Sequence, residues 1–311
     1  MTTKKIAFVS CAYGTYRDSQ PAWKEILAAK PDLLLMLGDN AYMSWYGGEW
    51  NFKALEECYR AQFAVNEFRA AIDSIPTLAI WDDHDAGPDD TLGAEVAAGN
   101  IGRTREMFDR WMGFARNNNR PHMYCTYNNM PDVQIVMLDV RTYRTSSQTV
   151  SPTLLGDAQD QWLWERLDPQ DTPQRRFTIV ASGTGFSVGK PQHRVADYGS
   201  VADGLRSRLA FRRGDATDPG RRALFLGGDV HYNKFVSHPS GFHEAISSGV
   251  ACFIPKTYIE ADFVPERYSD NWGLITIEEQ QVHIDFHANQ NTKGNPSRQT
   301  IDIESWAVVK G

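Results

Sequence analysis

Short apolar runs punctuate the first three quarters of the chain, at residues 6–9, 33–37, 77–80, 133–138, 177–180 and 223–226. Runs of this length and branching, bounded by turn residues, predict strands buried on both faces of an α/β sheet. Helical periodicity lies between them. Pro21 opens a helix over 22–29 and Pro31 comes just after its end, the positions proline tolerates best. Leu55, Tyr59 and Phe63 space a second helix and residues 68–72 a third. Met107, Trp111 and Phe114 mark a helix over 102–115, and Trp162, Leu163 and Leu167 share a face over 157–167. A basic helix is expected over 203–213. From about residue 228 the pattern shifts to short alternating segments at 234–237, 244–247, 273–277, 282–286 and 300–304, with a polar loop at 289–296. The expectation is one mixed α/β domain spanning 1–311, two packed sheets with helices outside and a strand-rich C-terminal third.

Acidic clusters at the ends of three apolar runs change the picture. The run at 33–37 leads into Gly38-Asp39-Asn40-Ala41-Tyr42, that at 77–80 into Trp81-Asp82-Asp83-His84-Asp85, and that at 223–226 into Gly227-Gly228-Asp229-Val230-His231. Ligands of open α/β sheets bind at the carboxyl ends of strands, where these charges emerge. Carboxylates gathered in a buried place are costly unless a cation offsets them. Three such clusters on three strand ends point to one metal centre.

Composition narrows the partners. The 311 residues carry 32 basic and 39 acidic side chains, a net charge of −7. That balance argues against broad binding to nucleic acid or an anionic membrane. The four cysteines, Cys11, Cys58, Cys125 and Cys252, are scattered without a C-x-x-C pair, so neither a disulfide framework nor a zinc knuckle is indicated. No apolar stretch has transmembrane length. The polar residues 1–5 run straight into the first strand without the apolar core of a signal peptide, which predicts a cytoplasmic protein, or a secreted one if a leader has been removed.

The motifs, taken in order, resemble those of the PhoD-like (alkaline phosphatase D) family within the calcineurin-like metallophosphoesterase superfamily. Ser10-Cys11 matches that family's S-C, Gly38 to Tyr42 its G-D-x-x-Y, and Trp81 to Asp85 its W-D-D-H-E. Leu138-Asp139-Val140-Arg141-Thr142-Tyr143-Arg144 matches L-D-x-R-x-Y-R. Leu155-Gly156, Gln159 and Trp162-Leu163 match L-G-x-x-Q-x-x-W-L, and Gly228 to His231 matches G-D-x-H. The matches span roughly residues 6 to 250. Each motif alone is weak; their combination in order is specific.

The resemblance implies a four-layer αββα sandwich of two mixed sheets and a centre holding two or more metals, a pair lying about 3.5–4 Å apart, whose bridging hydroxide attacks phosphorus. It implies Fe3+ bound by Cys11 and Tyr42, with His231 on the same side and Asp39 as the bridge. The partner metal would draw on Asp39, Asp83 and Asp229, an all-oxygen set that suits Ca2+ or Mg2+ better than Zn2+. Where many superfamily members place a histidine after a middle strand, this chain reads Ala181-Ser182-Gly183-Thr184. That departure disfavours Zn2+ or Mn2+ and fits the calcium preference of PhoD-like enzymes. His84 receives a catalytic role toward a phosphoryl or leaving oxygen, steered by Asp85. Arg141 either grips phosphate or orients a ligand. Asp82 is open between ligand and support, Arg144 is likewise unassigned, and His193 stays a candidate from a distant loop.

The aromatics Tyr13, Tyr16, Trp45, Tyr46 and Trp50 come just after two of the candidate ligands and either flank the mouth or pack loop against loop. Residues 183–198 hold several glycines and no regular pattern, and read as a lid. The expected function is a metal-dependent phosphoric ester hydrolase, a phosphatase or phosphodiesterase acting on a small molecule or lipid. The rivals are a phospholipase D-like or nucleotide phosphodiesterase, a nuclease, and a catalytically silent phosphate-binding scaffold.

Overall fold

Apolar runs covered on both faces become the parallel strands at the centre of two sheets. The structure, a computed structural model, describes residues 2–44, 48–116, 122–130, 132–168, 175–214, 220–252, 270–288 and 298–309. In the first sheet β1 (Lys4–Val9), β2 (Leu33–Leu37) and β3 (Thr77–Ile80) run parallel. On the other side of β1 lies an antiparallel meander made of β10 (Trp272–Ile277), β11 (Gln281–His287), β12 (Gln299–Asp302) and β13 (Ala307–Val308). The C-terminal strands thus complete the N-terminal sheet, in the seven-strand order β13-β12-β11-β10-β1-β2-β3.

The second sheet has six strands, from β4 (Cys125–Tyr127) through β5 (Val133–Leu138), β6 (Phe177–Ser182), β7 (Ala223–Gly227) and β9 (His243–Ser247) to β8 (Asn233–Ser237). Its four central strands are parallel and its two edges antiparallel. The pleat explains why β5, β6 and β7 read as apolar runs, broken only by Gln134, Thr178 and Ser182. Ile135, Met137, Ile179, Leu224 and Leu226 join the core shared with the first sheet. The alternate residues Val136, Leu138, Val180 and Phe225 instead pack with Leu163 of α6 (Asp157–Arg166) and with Leu205 and Leu209 of α7 (Gly199–Leu209). Period-two alternation serves two different partners, so neither face is polar. Trp23 and Ile26 of α1 (Ala22–Ala29), Tyr59 of α2 (Phe52–Ala64) and Phe68 of α3 (Asn66–Ser74) pack into the first core, as does Phe108 of α5 (Ala98–Met112). The expected sandwich of two mixed sheets with helices outside is what is observed.

Local differences have physical reasons. The basic helix lies four residues earlier than its expected span of 203–213, because Ala202, Leu205 and Leu209 are its buried stripe. Beyond it the chain is extended at Ala210, and Arg212 forms a bridge with Arg221. The short strands β4 and β13 gave no pattern to find. A one-turn helix, α4 (Asp83–Ala86), sits inside the acidic motif itself. Residues 183–198 are tied down rather than lid-like: Glu244 accepts from the backbone of Ser187 and Val188, Val195 N donates to Gly185 O, and Arg144 holds the His193 carbonyl. The polar loop at 289–296 lies outside the described residues, as do Trp45 and Tyr46. Among the described residues no helix is long and apolar enough to cross a membrane.

Candidate metal centre

The carboxyl ends of β1, β2, β3, β7 and β9 converge, and the backbone stitches them together. Cys11 N donates to Gly38 O at 3.2 Å and Ala12 N to Asp39 O at 2.9 Å, which locks the end of β1 onto that of β2. The loop after β9 is laid on the same place: Val250 N donates to Ser10 O at 3.1 Å and Ala251 N to Cys11 O at 3.2 Å. A Cβ at Gly38, whose φ is +93°, would stand 2.5 Å from Asp82 Cβ, and one at Gly183 would stand 2.5 Å from Asp82 Cγ. Only glycine lets these strand ends come that close.

Four of the predicted ligands have left-handed backbones: Cys11 at φ 63°, Asp39 at 52°, Asp229 at 74° and His231 at 58°. Such a conformation costs a non-glycine residue about 1–3 kcal/mol, and it persists where surrounding contacts impose it. Here it turns each side chain back from its strand end toward a common point.

Asp39 is common to three groups of mutually close donors, one of them with Asp83 and His84. Cys11, Asp39 and His231 offer atoms that all lie within 4.8 Å of one another, and so do Asp39, Asp82, Asp83 and Asp229. Cys11 Sγ lies 3.3 Å from Asp39 Oδ2, and Tyr42 Oη lies 3.3 Å from His231 Nε2. All six predicted ligands are thus in one neighbourhood. Burial, then the neighbouring negative groups, push Asp39 and Asp229 well above the usual carboxylate range. Asp82 is also raised by burial, against the pull of Arg141. Asp83 alone goes down: burial opposes its charge, but Arg141, His84 and the Asp90 N–H outweigh it. Arg141, with Arg144 behind it, faces three buried carboxylates and the half-buried Asp229, which leaves an electrostatic deficit that a bound cation removes. The donor set therefore fits metal ions, with sulfur, phenol and imidazole on one side of Asp39 and carboxylates on the other.

Arg141 is fully buried, with Nε 2.5 Å from Asp82 Oδ1, Nη2 3.0 Å from Asp82 Oδ2 and 3.4 Å from Asp83 Oδ1. Two of its three nitrogens thus bind carboxylates. The preceding Asp139 caps the turn that presents it, accepting from the backbone N–H groups of Arg141 and Thr142 and from Trp81 Nε1. Asp82 is correspondingly the partner of Arg141. Arg144 reaches Tyr198 Oη at 2.8 Å and Thr184 Oγ1 at 3.2 Å, while His193 Nδ1 pairs with Asp90 at 2.8 Å.

Asp85 departs from expectation. Its carboxylate accepts from the backbone N–H groups of Asn40, Ala41 and Asp82 and from Tyr59 Oη at 2.7 Å. It clamps the β2 and β3 loops together, and none of those donors is the His84 ring. Burial pushes its carboxyl up to about 7, against these donors. The carboxylate beside His84 is Asp89, with Oδ1 3.6 Å from His84 Nε2. The His84 ring packs on Tyr42 at 4.2 Å, and its backbone N–H donates to Asp39 Oδ1 at 3.4 Å.

Ser248 escaped the sequence reading. Its Oγ lies 3.1 Å from Cys11 Sγ and accepts from His231 N at 2.9 Å. The serines and Gly249 after the strand at 244–247 were a signal, but only the pairing of β9 with β7 shows that this end joins the others.

A family model described as PhoD-like phosphatase matches residues 6–254. The chain belongs to the PhoD-like phosphatase family. Among curated proteins, none matches it. Among solved structures, that of PhoD is similar with a TM-score of 0.68 and 16% identity, over 100% of this chain and 72% of that one. A dimetal phosphatase from Danio rerio has a TM-score of 0.60 at 11% identity, covering 96% of this chain and 99% of its own. Purple acid phosphatase PPD1 from yellow lupin seeds also reaches 0.60 at 13% identity, over 97% of this chain and 54% of its own. At such identities the likeness shows the shared fold, the calcineurin-like architecture of dimetal phosphatases.

Proposed function

We propose that this PhoD-like protein hydrolyses phosphoric esters at a binuclear centre of Fe3+ and Ca2+. The observation that carries the reading is the position of Asp39, which belongs at once to the Cys11–His231 group and to the carboxylate group. Cys11, Tyr42 and His231 would hold Fe3+, which favours anionic thiolate and phenolate donors. Asp83 and Asp229 would hold Ca2+ through hard oxygens, and Asp39 would serve both.

When bound, such a pair lowers the pKa of water to about 7 and offsets charge on phosphoryl oxygens. His84 lies within reach of the Asp39 and Asp83 carboxylates without belonging to the sulfur side. In this reading His84 hydrogen-bonds a phosphoryl oxygen or protonates the leaving oxygen. Arg141 acts through Asp82 and Asp83, fixing their orientation rather than gripping substrate. Four carboxylates confined this closely are costly in a molecule that never uses them, which favours an enzyme over a silent scaffold.

The test compares hydrolysis of p-nitrophenyl phosphate and bis-p-nitrophenyl phosphate before and after metal removal. Chelation should abolish both rates, and the faster substrate separates monoesterase from diesterase. Rates unaffected by removal of all metal would overturn the reading.

A further inference from the structure

Cys252 lies outside both donor groups, yet its thiol meets the centre. Its Sγ donates to Tyr42 Oη at 3.3 Å, and both side chains are buried. The same loop that lies across Ser10 and Cys11 carries it there: Ala251, its chain neighbour, donates its N–H to Cys11 O. Tyr42 is held from other sides too. Its ring stacks on Tyr13 at 4.4 Å and 23°, leans on His84 at 4.2 Å, and its backbone N–H donates to Cys58 Sγ at 3.3 Å. The ring plane is therefore fixed by packing and the phenolic oxygen by its hydrogen-bond partners.

We propose that Cys252 is a positioning residue for Tyr42, its thiol hydrogen-bonding the phenolate oxygen that binds Fe3+. The inference rests on the assignment of Fe3+ to Cys11, Tyr42 and His231. Outer hydrogen bonds orient metal ligands and tune their donation. A thiol donor stabilises the filled phenolate orbital, so the phenolate-to-Fe3+ charge-transfer band lies at shorter wavelength than it would without that donor. Cys252 Sγ joins none of the groups of three or more mutually close His, Cys, Asp or Glu donors among the described residues, so it is assigned to Tyr42 rather than to the metal.

The experiment loads wild type, Cys252→Ala, Cys252→Val and Cys252→Ser with Fe3+ and records the visible spectrum beside iron content per chain. Valine keeps the apolar volume if alanine leaves the protein unfolded, and serine keeps a donor. The proposal expects the Ala and Val bands at longer wavelength with iron content retained, and the Ser band near wild type. Identical bands in all four proteins overturn it. Loss of iron and colour together in the Ser variant makes Cys252 a ligand, which also overturns it. A wild-type protein that takes up iron and stays colourless removes Tyr42 as a ligand. In that case the iron reading fails, and the proposal with it.

Discussion

Cys11 Sγ lies 3.3 Å from Asp39 Oδ2, and both residues hold the left-handed backbone at the ends of adjacent parallel strands. That pair joins two chemistries. On the Cys11 side stand a phenol and an imidazole; on the Asp39 side stand carboxylates, with the His84 ring within reach of Asp39 and Asp83. The strain at both residues is the backbone's contribution to bringing them together.

Arg141 holds the carboxylate side in place. Removing one partner of a buried ion pair leaves an unbalanced charge and costs about 3–5 kcal/mol. Arg141→Met should therefore lower the unfolding free energy of the metal-free protein by that order, measured by urea denaturation at neutral pH. A loss no larger than that of a surface arginine variant contradicts the role assigned to it.

Asp85 separates a clamp from a catalytic partner. Asp85→Ala strands the N–H groups of Asn40, Ala41 and Asp82 and the Tyr59 hydroxyl, at about 1–3 kcal/mol for each buried donor left without an acceptor. The expected result is a marked drop in melting temperature. Wild-type stability with a depressed turnover would instead return Asp85 to His84.

How much of this was legible in the sequence varies with what each feature depends on. The spans of β2, β3, β5 and α1 match the pattern residue for residue, because burial on both faces or on one stripe writes itself into composition. The candidate ligands Asp39, Asp83, Asp229 and His231 were legible because their motifs follow strands, whereas Cys11 and Tyr42 became candidates only through the family resemblance. The partners of Asp85, Ser248 and Cys252 were not legible, since they depend on which loops lie across which strand ends. The pairing of β2 with β3 sets those of Asp85, and the pairing of β9 beside β7 with the stitching of 249–251 onto 10–11 sets those of Ser248 and Cys252.

His243 gives the fold a dependence on pH away from the metal centre. It is buried on β9, where Nε2 donates to Trp306 O at 2.9 Å and Nδ1 therefore accepts from Ser237 Oγ at 3.0 Å. Burial holds its pKa below the ordinary histidine value. Below about pH 6.5 the unfolded chain takes up a proton that the folded one refuses, so stability is full above that pH and falls as pH drops toward the folded value. Denaturation curves at about pH 8 and about pH 5, above and below the ordinary histidine value, should show a smaller acid loss in His243→Gln than in wild type. Equal losses contradict the assignment.

Asp39 as the shared ligand is the central claim, and metal content per chain in Asp39→Asn against wild type tests it most directly. The account predicts two metal ions per wild-type chain, and in the variant a loss from both sides together with the loss of p-nitrophenyl ester hydrolysis. An Asp39→Asn protein that keeps both ions and its rates would contradict it.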